Sequence, residues 1–267
     1  MIQKPTQFTA ANAEAFRDRS VAEAYYARPP YPGEVFEILA GLIHGAPRRV
    51  LDVGCGTGNI ARYLIARVEQ LDAVDSSRYM IEHGRRLPHG DHPRLRWLYG
   101  RVEDVALSPP YALVVAAESL HWMDWTIVLP RFRDVLLPGG YLAIVEQRTV
   151  PDPWSTLGEL IPRYRTDGGY RPYNMVAELE RHGLFQKVGE QATTAIRFVQ
   201  GVDDYVESYH SRSGFSRERM GRTQAAAFDE EARCILLRSH PDGTIPLDVT
   251  GTIVWGFPAS LRNKPQT

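Results

Sequence analysis

The chain has 267 residues, 43% of them hydrophobic and 24% charged, enough to bury one sizeable core or one core plus a lid. A formal net charge of −1 offers no positive field to condense on a phosphate backbone, which argues against nucleic acid as a partner. Two cysteines, Cys55 and Cys234, cannot build a disulfide framework. Neither a signal-peptide core nor an apolar run of about 18 residues is present, so a cytoplasmic protein with no membrane partner is expected.

In chain order, residues 9–44 read as helical, with a break at Arg28-Pro29-Pro30-Tyr31-Pro32, because prolines so closely spaced forbid a continuous helix. From Arg49 short apolar runs alternate with helical stretches. Val50–Val53, Leu71–Val74, Leu95–Tyr99, Tyr111–Ala116 and Tyr141–Val145 read as strands, and residues 58–68, 77–87 and 124–136 as helices. Beyond residue 147, segments 151–184 and 202–237 read as helical, 186–199 as one long strand, and Ile245–Phe257 as a last strand. This rhythm predicts an α/β fold: a doubly wound, mainly parallel seven-stranded sheet, its last strand antiparallel, with helices on both faces and a helical lid. One structural domain is expected, with 1–45 as a helical cover, 46–147 as the core, and 148–267 as the remaining strands with the lid insertions.

The chemistry concentrates in Val50-Leu51-Asp52-Val53-Gly54-Cys55-Gly56-Thr57-Gly58-Asn59, an apolar strand running into three glycines at alternate positions and then a helix. Glycine there lets backbone approach a ligand, and the helix start offers unpaired N–H groups, which together imply a nucleoside-containing cofactor. Asp75, at the end of the second strand, is placed to accept hydrogen bonds from ribose hydroxyls. A dinucleotide loop wants glycine at position 59, where Asn59 stands. Asp52 puts a carboxylate beside the loop, and like charges about 4 Å apart cost roughly 4 kcal/mol at an effective dielectric near 20, which disfavours a diphosphate. S-Adenosylmethionine carries a sulfonium and an ammonium and no phosphate, so the same acid attracts it. An NAD-dependent oxidoreductase is disfavoured on the same grounds.

These segments resemble the class I methyltransferase family, and within it the type 11 small-molecule group, over residues 20 to about 147. VLDVGCGTGN resembles the family's first cofactor motif, LDAVDSS its ribose-binding acidic strand, and GRVEDVAL the segment that frames adenine. LLPGGYLAIVE resembles the turn before the fifth strand, and AYYARPPYP the element that closes over the cofactor. The resemblance implies that Gly54, Gly56 and Gly58 back the methionine moiety, with Asp52 near its amino group. It places Asp75 and Ser76 at the ribose, Met80, Val102 and Glu103 around adenine, and Glu118, Tyr25 and Arg28 also on the cofactor. It further implies S-adenosylmethionine as cofactor, S-adenosylhomocysteine as product, and a small-molecule acceptor.

After the fourth strand, Glu118-Ser119-Leu120-His121-Trp122 falls where an open parallel sheet lines its ligand crevice. His121 is the candidate catalytic base, since imidazole titrates near neutrality; the alternative is a histidine that merely holds its loop. Trp122 reads as a wall on the substrate side. The other candidate substrate contacts are Tyr31, from the N-terminal cover, and Tyr170 and Tyr209, from a lid rich in Tyr and Arg (Tyr164, Arg165, Arg171, Tyr173, His210, Arg212). No metal-ligand spacing occurs. A monomer or homodimer is expected, and the acceptor atom stays open with a lean to oxygen or nitrogen. A module that binds the cofactor without transferring methyl is the competing reading.

Overall fold

The apolar runs become one eight-stranded sheet in the computed structural model, which describes residues 4–169 and 171–259. The strands are β1 (Arg49–Val53), β2 (Gln70–Asp75), β3 (Leu95–Tyr99), β4 (Tyr111–Ala117), β5 (Leu136–Val150), β6 (Phe185–Ala192), β7 (Ile196–Gly201) and β8 (Thr244–Pro258). Their order is β3-β2-β1-β4-β5-β8-β6, with β7 also paired to β8. β1 to β5 are parallel, and β8 runs antiparallel to β5, β6 and β7. β1, β2 and β4 read as near-continuous hydrophobic runs because both faces are covered, whereas the edge strand β3 alternates.

The chain winds from β1 outward through β2 to β3, then returns to place β4 on the other side of β1. Such a reversal opens a crevice beyond the carboxyl ends of β1 and β4. Helix Gly33–Gly41 and the short helix Ala61–Leu64 cover one face, burying Val35, Leu39 and Leu64 against Val50, Leu71 and Val115. Helices Trp125–Val135 and Met175–Arg181 cover the other, burying Trp125, Phe132 and Leu179 against Leu51, Val114 and Leu142. Each buried side chain of this size contributes roughly 1.5–3 kcal/mol. No helix among the described residues is long and apolar enough to cross a membrane.

Three expectations change. The segment 186–199 is two strands, which pair in tandem with the two halves of the 15-residue β8 and bring the sheet to eight strands. Thr193 makes the joint, its N–H donating to the Gly251 carbonyl at 2.8 Å while its hydroxyl accepts from the Gly251 N–H at 2.9 Å. The N-terminal segment is a chain of pieces no longer than five residues before Pro29, at Thr6–Phe8, Ala10–Ala13, Glu14–Arg17, Arg19–Glu23 and Ala24–Ala27. Helix 58–68 shortens to Ala61–Leu64 followed by a 3-10 turn at Ile65–Arg67.

The helical excursion has its own core, built from Leu157 and Ile161, helix Val202–His210, helix Arg222–Ser239, and Ile245 to Val249 of β8. Tyr209 belongs to it, which corrects its assignment to substrate. The side chain is 0% exposed, its hydroxyl donates to the Pro153 carbonyl at 2.5 Å, and its ring meets Phe215 and Phe228 edge-on. Tyr170 lies outside the described residues. Phe228→Ala is expected to cost about 3–5 kcal/mol, because Tyr209, His210 and Phe215 all pack against that ring. An unfolding free energy from urea titration within about 0.5 kcal/mol of wild type would show that the excursion adds nothing to global stability.

Candidate active site

The glycine turn after β1 is fixed by the strand beside it. Asp75, closing β2, accepts the Gly56 N–H and the Ser77 N–H, both at 2.7 Å, one on each carboxylate oxygen. Gly54, Gly56 and Gly58 all have positive φ, at 64°, 55° and 78°, which L side chains adopt at a cost. Beneath this, each glycine has a separate neighbour. A Cβ on Gly54 would lie 2.5 Å from Ser119, one on Gly56 3.3 Å from the Tyr25 ring, and one on Gly58 2.6 Å from Trp97.

A cavity of about 350 Å³ opens beside this turn. Gly54, Gly56, Asp75, Ser76 and Met80 line it with Val102, Glu103, Glu118 and Trp122, so residues from four loops of the crevice converge there. Tyr25 lines it from the N-terminal cover. Gly58 is absent from this lining, and its lack of a side chain makes room for Trp97 under the turn. Glu103 accepts the Asp124 N–H at 3.1 Å and pairs with Arg101 at 3.2 Å.

A smaller recess of about 40 Å³ shares Tyr25, Gly54 and Glu118 with the cavity and adds Arg28, Tyr31, Asp52 and Gln147. Two carboxyls face it. Asp52 accepts the Ala61 N–H at 3.1 Å on one oxygen, and its other oxygen is buried with no partner. Burial pushes its pKa up to about 7. Glu118 likewise titrates near 7, burial again being the main cause, although the Gln147 N–H at 2.6 Å opposes it. Glu118 also has φ 51°, a conformation costing roughly 1–2 kcal/mol for a residue other than glycine. With Asp52 partly neutral near pH 7, the repulsion of a diphosphate is weaker than a fixed charge at position 52 implies.

His121 stands behind Trp122. Its ring packs on Phe8 at 4.6 Å and on Trp122 at 4.8 Å, and among the described residues lining the cavity Trp122 is present and His121 is not. Burial, with Lys4 and Arg28 adding to it, lowers its pKa to about 3. A weakly basic ring in that position suits the alternative to a general base, a histidine that holds its loop by packing.

The residues that roof the cavity, Ala10, Ala13, Glu14, Phe16 and Arg17, fall within the expected N-terminal cover, but no sequence motif marks them individually. Their only signal is a spacing of three to four, shared with any amphipathic segment. This roof is pinned at several points. Lys4 donates to the carbonyls of His121 and Met123 and sits 4.5 Å over the Trp125 ring. Gln7 exchanges two hydrogen bonds with the Arg171 backbone, at 2.6 and 3.1 Å. Among the described residues no cluster of His, Cys, Asp and Glu could hold a metal ion.

Residues 50–140 match the family model described as a methyltransferase domain. The chain is 35% identical over 141 residues to a trans-aconitate 2-methyltransferase of Pseudomonas aeruginosa, covering 49% of this chain and 50% of that one. It is 33% identical over 103 residues to a malonyl-[acyl-carrier protein] O-methyltransferase of Halalkalibacterium halodurans, covering 36% and 38%. Thus the chain spans about half the length, or less, of these relatives. Among solved structures, a chain described as a proposed type II methyltransferase from Anaeromyxobacter dehalogenans superimposes with a TM-score of 0.62 at 25% identity, covering 87% of this chain and 99% of that one.

The carboxyl of Glu118 holds its proton more tightly when folded than when unfolded, so the stability it contributes is complete below its ordinary pKa of 4.5 and is lost as pH rises through about 7. Wild-type thermal stability is expected to fall between about pH 5 and 8 more than that of Glu118→Gln. Parallel melting curves for the two proteins across that range would remove Glu118 from the recess's proton balance.

Proposed function

We propose, on the premise that residues 50–140 form a methyltransferase domain of the class I, Rossmann-like type, that the chain binds S-adenosylmethionine in the crevice beyond β1, β2 and β4 and passes its methyl group to a small molecule. One observation carries the proposal: a single cavity brings together the backbone of Gly54 and Gly56, the carboxylate of Asp75, and the Met80–Val102–Glu103 wall. The residues fit the cofactor. Asp75 already has each oxygen fixed by a backbone N–H, and a carboxylate oxygen retains a further lone pair for a ribose hydroxyl. The unpartnered buried oxygen of Asp52 lacks a donor, which an ammonium in the recess supplies.

Bound there, S-adenosylmethionine supplies a methyl group on a sulfonium, a leaving group that needs no protonation. Positioning and exclusion of water then fall to the protein. Trp122, braced by Phe8 and Phe16 at 5.5 and 5.2 Å, walls the cavity on the side of the 118–125 segment. Phe16 and Tyr25 shield it from the N-terminal side. His121 sets the position of Trp122 and takes no proton near neutrality, so the acceptor atom either arrives deprotonated or gives its proton to Glu118. A relative named as an O-methyltransferase favours oxygen over nitrogen as acceptor.

Asp75→Ala is expected to raise the dissociation constant of S-adenosylhomocysteine about 10- to 100-fold by calorimetry, the scale of hydrogen bonds to a charged group. An unchanged constant would move the nucleoside elsewhere. With an acceptor found by screening labelled S-adenosylmethionine against a metabolite extract, His121→Asn is expected to keep the shape of the wild-type pH–rate profile between about pH 6 and 9. Loss of a limb with an apparent pKa near 6–7 would restore histidine as the base.

A further inference from the structure

Two arginines meet where the N-terminal cover touches the helical excursion, and neither forms an ion pair among the described residues. Arg28 donates through Nε to the Ser211 hydroxyl at 2.9 Å and through Nη2 to the Ser211 carbonyl at 2.7 Å. Arg212, the next residue along, donates through Nη1 to the carbonyl of Ser208, and lies 5.0 Å over the Tyr209 ring and 5.6 Å over Trp154. Both guanidiniums therefore gather at the end of helix Val202–His210, held only by neutral oxygens and ring faces. Like charges so placed repel, and a guanidinium has five N–H donors to satisfy.

The other arginines of the same region show what a purely structural solution looks like. Arg165, 10% exposed, is fully paired with Asp167 through two hydrogen bonds at 2.6 and 2.9 Å. Arg217 is paired with Glu207 and Asp229. Arg28 and Arg212 form no such pair among the described residues, and Glu118, which lines the recess with Arg28, is itself drawn toward its neutral form. Burial, with Arg28 adding to it, lowers the Arg212 pKa to about 10, so this charge stands at a cost. Beside it, the buried Tyr205 hydroxyl finds no hydrogen-bond partner among the described residues; the Tyr205 and Tyr209 rings are 5.8 Å apart. Half-buried cations without a counter-charge and a buried idle hydroxyl are costly to keep unless something occupies them. The helix end offsets part of that cost, since carbonyls at a helix C-terminus favour cations by about 0.3–2 kcal/mol.

We infer that Arg28, Arg212 and the Tyr205 hydroxyl form the binding site for a carboxylate group of the methyl acceptor. This rests on the reading that the adjoining cavity holds S-adenosylmethionine, whose own methionine carboxylate is the other possible source of the same chemistry. The inference commits to the acceptor, because Arg212 lies outside both the cavity and the recess while Arg28 spans from the recess to it. A carboxylate-bearing acceptor also agrees with a site in which His121 is not available as a base.

The test titrates succinate, propane-1,2,3-tricarboxylate and benzoate against uncharged succinamide, with and without saturating S-adenosylhomocysteine, reading binding by calorimetry and the thermal midpoint. At least one carboxylate is expected to bind and succinamide is not. Arg212→Gln is expected to weaken that binding at least about 10-fold, with Arg212→Lys intermediate, while S-adenosylhomocysteine affinity stays within about 2-fold. Arg212→Gln is expected to unfold at or above the wild-type midpoint, since it removes one of two like charges, whereas Arg212→Lys keeps its charge and is expected to melt near the wild type. The inference falls if no carboxylate binds better than succinamide, or if Arg212→Gln binds it as wild type does. It also falls if S-adenosylhomocysteine affinity drops in step, which assigns Arg212 to the donor, or if both variants melt several degrees lower with carboxylate binding intact, which makes the arginine a helix cap. Absence of S-adenosylhomocysteine binding to wild type would instead overturn the proposed function, and the titrations without it still decide the carboxylate site.

Discussion

The bond on which the site depends joins two strand ends. Asp75 at the end of β2 accepts the Gly56 N–H, so the turn leaving β1 is held in its left-handed conformation by the neighbouring strand. That contact spaces Gly54 and Gly56 along the floor of the cavity while keeping the Asp75 carboxylate on its wall. Without it the turn would be held by fewer bonds, the Cys55 N–H to the Val74 carbonyl at 3.0 Å and the Gly58 N–H to the Cys55 carbonyl at 2.8 Å, and glycine restricts the backbone less than any other residue. The parallel register of β1 and β2, Val53 opposite Val74, delivers the two groups to the same level.

Charge in the site follows from depth. Asp52 and Glu118 are carboxyls that burial pushes to about 7, His121 an imidazole that burial brings to about 3, and Lys4 an ammonium brought to about 8. Each is moved toward its neutral form, the expected response of a poorly hydrated interior. A crevice prepared in this way presents little net charge of its own and gains most from a ligand that brings ions in matched positions. The arginines at the end of helix Val202–His210 are the exception, since a guanidinium stays charged whatever its surroundings.

The sequence made the sheet's first five strands legible because a buried parallel strand must be apolar over its whole length, and the glycine turn legible because its spacing serves backbone geometry. Asp75, Ser76, Met80, Val102, Glu103 and Glu118 fall on the cavity wall for the same reason: each follows directly on a strand end or its adjoining turn. What escaped has different physics. Tyr209 looked like a substrate contact because an aromatic in an insertion has the same composition whether it faces a ligand or three other rings. His121 looked like a base because its reference pKa is near neutrality, and only the packing of Phe8 from more than a hundred residues away reveals the desolvation. The segment 186–199 reads as one long strand in sequence and is two in space, since the break is made by Thr193 answering Gly251 on a distant strand. The roof residues Ala10 to Arg17 carry no motif at all.

That roof has a kinetic consequence. Its pieces are four residues long or fewer over Thr6–Arg17, too short to be helical in isolation, because nucleating a turn fixes several residues for a single hydrogen bond. Their shape is held largely by contacts from elsewhere: Lys4, Gln7 and Asn12 hold the loops at His121–Met123 and Asp167–Arg171, Arg219 donates to the Ala11 carbonyl, and Ala15 is fully buried. A span ordered chiefly by tertiary contacts opens locally when they are lost, so the roof is expected to exchange its amide hydrogens faster than the strand ends beneath it.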